Sequence, residues 1–237
     1  YSTGATVVSY AVSNALAGSV TMKQKDGTSV ASGEAISTGS TVTLEATVND
    51  GYTFYGWKQT STGRIILDRT ISFSALMSDT YTAVIESKGM YKVASESDFY
   101  ASLEEALTSE GSEFRLLENV TLTSSLTIAA GKTLLVPFSS TDKTGYAEGN
   151  QVYQRVSWNR GIEPYLTLTV NEGVTLTVNG TLKIGAVQHT YQQTAQGMTS
   201  GAFAQLINNG NVVVNGVTDI RGRVTGSGTL TVNAGAT

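Results

Sequence analysis

Cysteine is absent from the 237 residues, histidine occurs once and proline twice. Without thiols the chain can hold no disulfide, no thiol nucleophile and no cysteine-ligated metal, and the compartment is left open. Any imidazole chemistry would fall to His189 alone, which lies in the polar run VQHTYQQ and reads as an exposed loop residue. Charge is scarce as well: Asp, Glu, Lys and Arg make up 14% of the chain, the net charge is −4 and no long basic run occurs. Neither a nucleic-acid surface nor an anionic-membrane surface is indicated. No apolar stretch approaches the ~20 residues that span a bilayer, so no membrane insertion is expected in this segment. The opening YSTGATVVSY has neither a basic nor an apolar segment and does not read as a signal peptide; if the protein is secreted, this sequence is expected to be a mature fragment.

Hydrophobic residues reach 40% and glycine 25 residues, with Thr and Ser filling much of the rest. That mixture suits many short strands joined by Gly-centred turns. Residues 1–89 read as a small β module. STVTLEATV sets Val42, Leu44, Ala46 and Val48 on one face, TISFSAL does so with Ile71, Phe73 and Ala75, and YTAVIES with Tyr81, Ala83 and Ile85. KDGT, ASGE, NDGY and STGR mark turns between them.

Residues 90–237 change rhythm. SESDFYASLEEALTSEG predicts one amphipathic helix of about three turns, with Ser95 and Asp98 at capping-box spacing, Phe99, Leu103, Ala106 and Leu107 inward, and Gly111 as the stop. Beyond it, short β-branched runs are punctuated by glycine: Gly173 and Gly180 lie seven apart, Gly210, Gly216, Gly222 and Gly228 six apart, and Gly235 follows after seven. A turn residue at that interval is the beat of a β-solenoid with rungs of roughly 20 residues. The helix is expected to cover the first rung, whose open edge would otherwise invite association. The beat runs up to NAGAT, so the solenoid is expected to continue beyond residue 237. Two polar insertions interrupt it, near 138–165 and near 187–203, and loops of this kind are where binding usually sits.

GSTVTLEATVNDGYTFYGWKQ with the closing YTAVIES resembles the divergent internalin-B-type (Listeria–Bacteroides) repeat module of bacterial surface proteins, through Gly51, Tyr52, Phe54, Gly56 and Trp57. The resemblance implies a non-catalytic β module used as a spacer or in adhesion. DFYASLEEALTSEGSEFRLLENVTLTSSLTIAAGKTLLV is similar to the start of a right-handed parallel β-helix of the superfamily that includes pectate lyases and many adhesins. That resemblance implies a fold and leaves the activity open.

The aromatic cluster of GYTFYGWKQTSTGR reads as core rather than as a sugar platform, since burying Phe54 and Trp57 removes roughly 150–250 Å² each from water, about 4–6 kcal/mol apiece. Among the later acids Glu118, Asp142, Glu148, Glu163, Glu172 and Asp219, no two lie close with strand-face spacing. In TDIRGRV, Asp219, Arg221 and Arg223 alternate onto one face and read as a solvated charged ladder. Asp142–Gly145 lacks the ladder of a calcium loop. The binding candidates are Tyr146, Tyr153, Arg155, Trp158 and Arg160, which gather stacking surface and guanidinium donors in one insertion; a hairpin strand on the flank is the alternative for Tyr153 and Arg155.

The expectation is an all-β chain: a small N-terminal β module followed by a right-handed parallel β-helix capped at its N-terminal end by one short α-helix. Its expected role is that of a non-catalytic structural or adhesive segment, extracellular or on the surface of a bacterium. No cofactor and no metal are expected, and the expected partner is a host or cell-wall glycan or protein. A carbohydrate-binding module using the 146–160 loop is the alternative, and a polysaccharide-cleaving enzyme the least favoured reading.

Overall fold

The structure, a computed structural model, describes residues 4–137, 166–185 and 204–237. The chain separates into two compact units, Tyr1–Met90 and Tyr91–Thr237.

The first unit contains β1 (Ala5–Val12), β2 (Gly18–Gln24), β3 (Ser29–Val30), β4 (Ala35–Ser37), β5 (Thr41–Val48), β6 (Tyr52–Gln59), β7 (Ile65–Ile66), β8 (Thr70–Ser74) and β9 (Asp79–Ser87). They form a sheet of order β4-β1-β9-β6-β7 and a second of order β3-β2-β5-β8. All pairs are antiparallel except β1 with β9. Period-two alternation builds the core between them: Val42, Leu44 and Ala46 of β5 and Tyr81, Ala83 and Ile85 of β9 are buried. They pack with Val8, Met22, Val30, Ile36, Trp57 and Ala75 in one cluster. Each fully buried aliphatic side chain there contributes about 1.5–3 kcal/mol relative to exposure. Ser13 fastens the end of β1 to β9, its hydroxyl accepting from Ile85 N at 3.0 Å and donating to Ile85 O at 3.1 Å.

The second unit opens with β10 (Val93–Ala94) and β11 (Phe99–Tyr100), then α1 (Leu103–Thr108). The helix is shorter than the sequence predicts and starts later. Its N-cap is Ser102, whose hydroxyl accepts from Glu105 N at 3.1 Å, while the Glu105 carboxylate accepts from Ala101 N. Ser95 instead closes a local turn, accepting from Asp98 N at 3.0 Å while Ser95 N donates to Asp98 O. Phe99 and Tyr100 are extended because they pair with Ala94 and Val93. The helix ends at Ser109 rather than at Gly111. Just past its end, Lys132 Nζ donates to the C-cap carbonyl Ser109 O at 2.5 Å and to Gly111 O at 3.1 Å, a cation near the helix C-terminus.

Among the described residues twelve strands follow: β12 (Glu113–Leu116), β13 (Val120–Leu122), β14 (Leu126–Ile128), β15 (Thr133–Val136), β16 (Thr167–Val170), β17 (Thr175–Val178), β18 (Thr181–Ile184), β19 (Gln205–Asn208), β20 (Asn211–Val214), β21 (Val217–Ile220), β22 (Arg223–Thr225) and β23 (Thr229–Val232). Every third strand joins the same sheet. The orders are β11-β10-β12-β15-β18-β21, β13-β16-β19-β22 and β14-β17-β20-β23, and every pair from β12 onward is parallel. Among the described residues the unit is thus all-β with parallel sheets, apart from one short helix.

Register stacks like on like. Leu134 lies beside Leu182, Leu168 beside Leu206, and Leu176 beside Val212. These inward side chains, with Leu103, Ala106 and Leu107 of α1, form one aliphatic cluster. α1 packs against β10, β11 and β14, the last of these the first strand of its sheet.

Of the recurring glycines, Gly180, Gly210, Gly216, Gly222 and Gly228 are required by close approach, whereas Gly173 and Gly235 have open space and a positive φ. A Cβ on Gly180 would lie 2.2 Å from Lys132 O, one on Gly210 2.2 Å from Asn171 O, and one on Gly216 2.1 Å from Gly180 O. At these positions the connections between register-paired strands therefore sit backbone on backbone, and only a residue without a side chain fits.

A candidate site at one corner of the parallel sheets

The aromatic cluster is interior. Between β6 and β9 the register shifts after Phe54, so that Phe54 faces Ile85 and Gly56 faces Val84, leaving Tyr55 as the extra residue of a bulge. The bulge reverses side-chain parity. Phe54 and Trp57, three apart, thereby reach the same face, where their rings meet edge-on at 5.7 Å between centroids. Trp57 is wholly buried and Tyr55 nearly so. The Tyr55 hydroxyl donates to Ser87 O and accepts from Met90 N. Tyr52 and Phe54 are half-buried against the same core. Neither Trp57 nor Tyr55 offers a face on which a sugar could stack.

At one end of β9 the Asp79 carboxylate accepts from Gln59 Nε2 at 2.6 Å, Ser61 Oγ at 2.5 Å, Ser61 N at 3.0 Å and Thr80 N at 2.8 Å. Burial pulls its pKa up, but the hydrogen bonds from Ser61, Gln59 and Thr80 outweigh it and leave the group below the usual aspartate value. Burial and the Asp79 charge push the neighbouring Tyr81 phenol up. This network holds the turn between β6 and β7. Sequence reading missed it, because Asp79 stands twenty residues from Gln59 and only the fold brings them together.

The parallel sheets place one corner apart from the others. Connections 137–166 and 185–204 both run from a strand of the first sheet to the next strand of the second, β15 to β16 and β18 to β19. Their ends are stacked, with Gly185 N donating to Val136 O at 2.8 Å and Gln205 N to Leu166 O at 3.0 Å. The next strands of the same two sheets, β21 and β22, are joined by Arg221 and Gly222 alone, Arg221 N donating to Ile184 O and Arg223 N to Ala204 O.

The polar residues of TDIRGRV sit at this corner, but not on one face. Asp219 and Arg221 form an exposed ion pair at 3.2 Å, with Lys183 beside Asp219 in register. Arg223 begins β22 and belongs to the neighbouring sheet, because the corner at Gly222 intervenes. An exposed pair of this kind contributes about 0–1 kcal/mol.

Tyr146, Tyr153, Arg155, Trp158 and Arg160 lie outside the described residues, as do His189, Asp142, Glu148 and Glu163. Among the described residues no group of three or more His, Cys, Asp or Glu side chains could hold a metal ion, and no helix is long and apolar enough to cross a membrane.

A polar feature that sequence reading passed over runs along another corner. Asn215 Nδ2 donates to Asn179 Oδ1 at 2.8 Å, and Asn233 Nδ2 to Asn215 Oδ1 at 2.6 Å. The signal for it is the Asn that stands before Gly180 and again before Gly216.

Residues 5–86 match the family of the divergent InlB B-repeat domain. The match is consistent with a surface-associated structural module of bacteria. No curated protein and no solved structure matches the chain.

Proposed function

We propose that residues 113–237 wind as a right-handed parallel β-helix. Together with the repeat-like unit before them they would form a non-catalytic structural or adhesive segment, extracellular or on the surface of a bacterium. The carrying observation is the return of every third strand to the same sheet in register, with aliphatic side chains stacked inward. Strands joined in parallel through a crossover turn right-handed in nearly all proteins, which sets the proposed hand. Such a coil derives its cohesion from nearest-neighbour rounds and extends without changing its cross-section, which suits a stalk. The match of residues 5–86 supports the surface placement.

Purified protein incubated with acidic and neutral polysaccharides should release no new reducing ends and no unsaturated products. Release of either would overturn the non-catalytic reading. Protease shaving of intact cells should liberate fragments of the chain, and their retention inside protected cells would overturn the placement.

A second reading is favoured by the two long connections that leave one corner in adjacent rounds. In it the corner carries a glycan-binding site with Tyr146, Tyr153, Arg155, Trp158 and Arg160 as contacts, the aromatic rings stacking on sugar and the guanidinium groups donating to hydroxyls. Glycan-array binding abolished by Trp158→Ala and Tyr153→Ala would support this assignment; binding that survives both would reject it.

A further inference from the structure

Asn-Gly occurs three times in the chain, at Asn179–Gly180, Asn209–Gly210 and Asn215–Gly216. In this pair an asparagine side chain is most open to its own backbone. Glycine carries no Cβ to shield its amide nitrogen, so that nitrogen can reach the carboxamide carbon of the residue before it. Sequence alone ranks the three pairs equally, and the structure separates them.

Two of the three are closed off twice over. Gly180 N donates to Ile128 O and Gly216 N to Val178 O, both at 2.9 Å, so each nitrogen is already committed to an acceptor. Their carboxamides are engaged as well, Asn215 Nδ2 donating to Asn179 Oδ1 and Asn233 Nδ2 to Asn215 Oδ1. Attack within either pair would first break a backbone hydrogen bond and a link between side chains.

Asn209–Gly210, the connection from β19 to β20, has neither lock. The Asn209 side chain is exposed, and among the described residues it makes no hydrogen bond. Gly210 N likewise meets no acceptor among the described residues. The amides on either side are held, Asn209 N by Val170 O at 2.8 Å and Asn211 N by Val174 O at 2.9 Å. The one unbonded nitrogen of this connection therefore stays beside the one unbonded carboxamide.

We infer that Asn209 is a site of spontaneous covalent modification, converting to aspartate and isoaspartate in the folded protein while Asn179 and Asn215 are preserved. The Gly210 nitrogen gives up its proton and bonds to Asn209 Cγ. The Cγ–Nδ2 bond breaks, ammonia leaves with that proton, and a succinimide closes. Water then opens the ring, and no electron is transferred. Cleavage between the Gly210 nitrogen and Cγ leaves an ordinary aspartate. Cleavage between that nitrogen and the Asn209 carbonyl carbon leaves isoaspartate, which routes the main chain through the β-carbon. Either product adds a negative charge at an exposed position. The second also lengthens the connection by a main-chain atom and so strains the bonds of Asn211 N to Val174 O and Thr229 N to Gly210 O. Nothing in this chemistry depends on the hand or closure of the winding proposed above.

The whole chain is aged at mildly alkaline pH, in native buffer and in parallel in denaturant. Peptide mapping with electron-transfer fragmentation then separates asparagine, aspartate and isoaspartate at each pair. In denaturant the three pairs should convert at similar rates. In native buffer Asn209 should convert at least about tenfold faster than Asn179 or Asn215, which must wait for local opening. Asn209→Gln, whose longer side chain closes the ring far more slowly, should melt as the natural sequence does and lose the change at that peptide. Native protein in which Asn179 or Asn215 keeps pace with Asn209 overturns the inference. So does native protein in which none of the three changes while the denatured chain converts, or a denatured chain that already shows the native ranking.

Discussion

Trp57 and Asp79 show how single side chains acquire roles that neighbours in sequence do not explain. Trp57 reaches the core only because Tyr55 is an extra residue in β6, and without the bulge it would point to the other face. Asp79 is held by four donors from three residues, and its depressed pKa has a sign that can be tested. A carboxylate whose folded pKa lies below its unfolded value contributes stability above the unfolded pKa and loses it as pH falls through the folded one. Acid should therefore weaken the first unit below the ordinary aspartate range, and Asp79→Ala should flatten that dependence. At neutral pH the substitution should lower stability by about 1 kcal/mol, a figure reduced for the partial exposure of the site. Denaturant unfolding across pH checks both. The same variant should let the Tyr81 phenol titrate at lower pH, followed by phenolate absorbance, since the Asp79 charge is one of the two causes holding it up.

At the scale of elements, the start of α1 was misread for a reason that remains visible in the sequence. Ser95 with Asp98 and Ser102 with Glu105 offer the same spacing, and nothing local ranks them. The pairing of Phe99 and Tyr100 with β10 decides, by drawing the first candidate into an extended hairpin. Ser102→Ala should lower stability by about 1 kcal/mol, read in denaturant unfolding, while Ser95→Ala should leave helix content unchanged by circular dichroism. The alternation of β5 and β9 was legible because one face of each is buried, which writes period two into the residues. The glycine beat was legible too, but its cause was not, since carbonyls beside a strand distant in sequence are invisible along one chain. Two substitutions separate the causes. Gly173→Ala, with φ +75° and open space around it, should cost about 1–2 kcal/mol of left-handed strain. Gly216→Ala drives a Cβ to 2.1 Å from Gly180 O and should cost more than Gly173→Ala in the same thermal melts.

For the molecule as a whole, the sequence could announce parallel pairing of distant strands only through its rhythm. The residues proposed to touch a ligand belong to connections that follow no such rhythm, so periodicity located the interruptions without saying what they build. The register has a further consequence. Asn211 and Thr229 are equivalent positions, as are Val212 and Leu230, and Val214 and Val232. Excising residues 211–228 would join Gly210 directly to Thr229 and let each surviving inward side chain inherit its predecessor's seat. That deletion should leave a cooperatively melting protein with an unchanged strand signature in circular dichroism. Removing one residue fewer should not, because every later side chain would then face the wrong way. Length between β20 and β23 is thus set by register, whereas the corner between the first and second sheets is joined by connections of very different length, 137–166, 185–204 and the two residues Arg221 and Gly222.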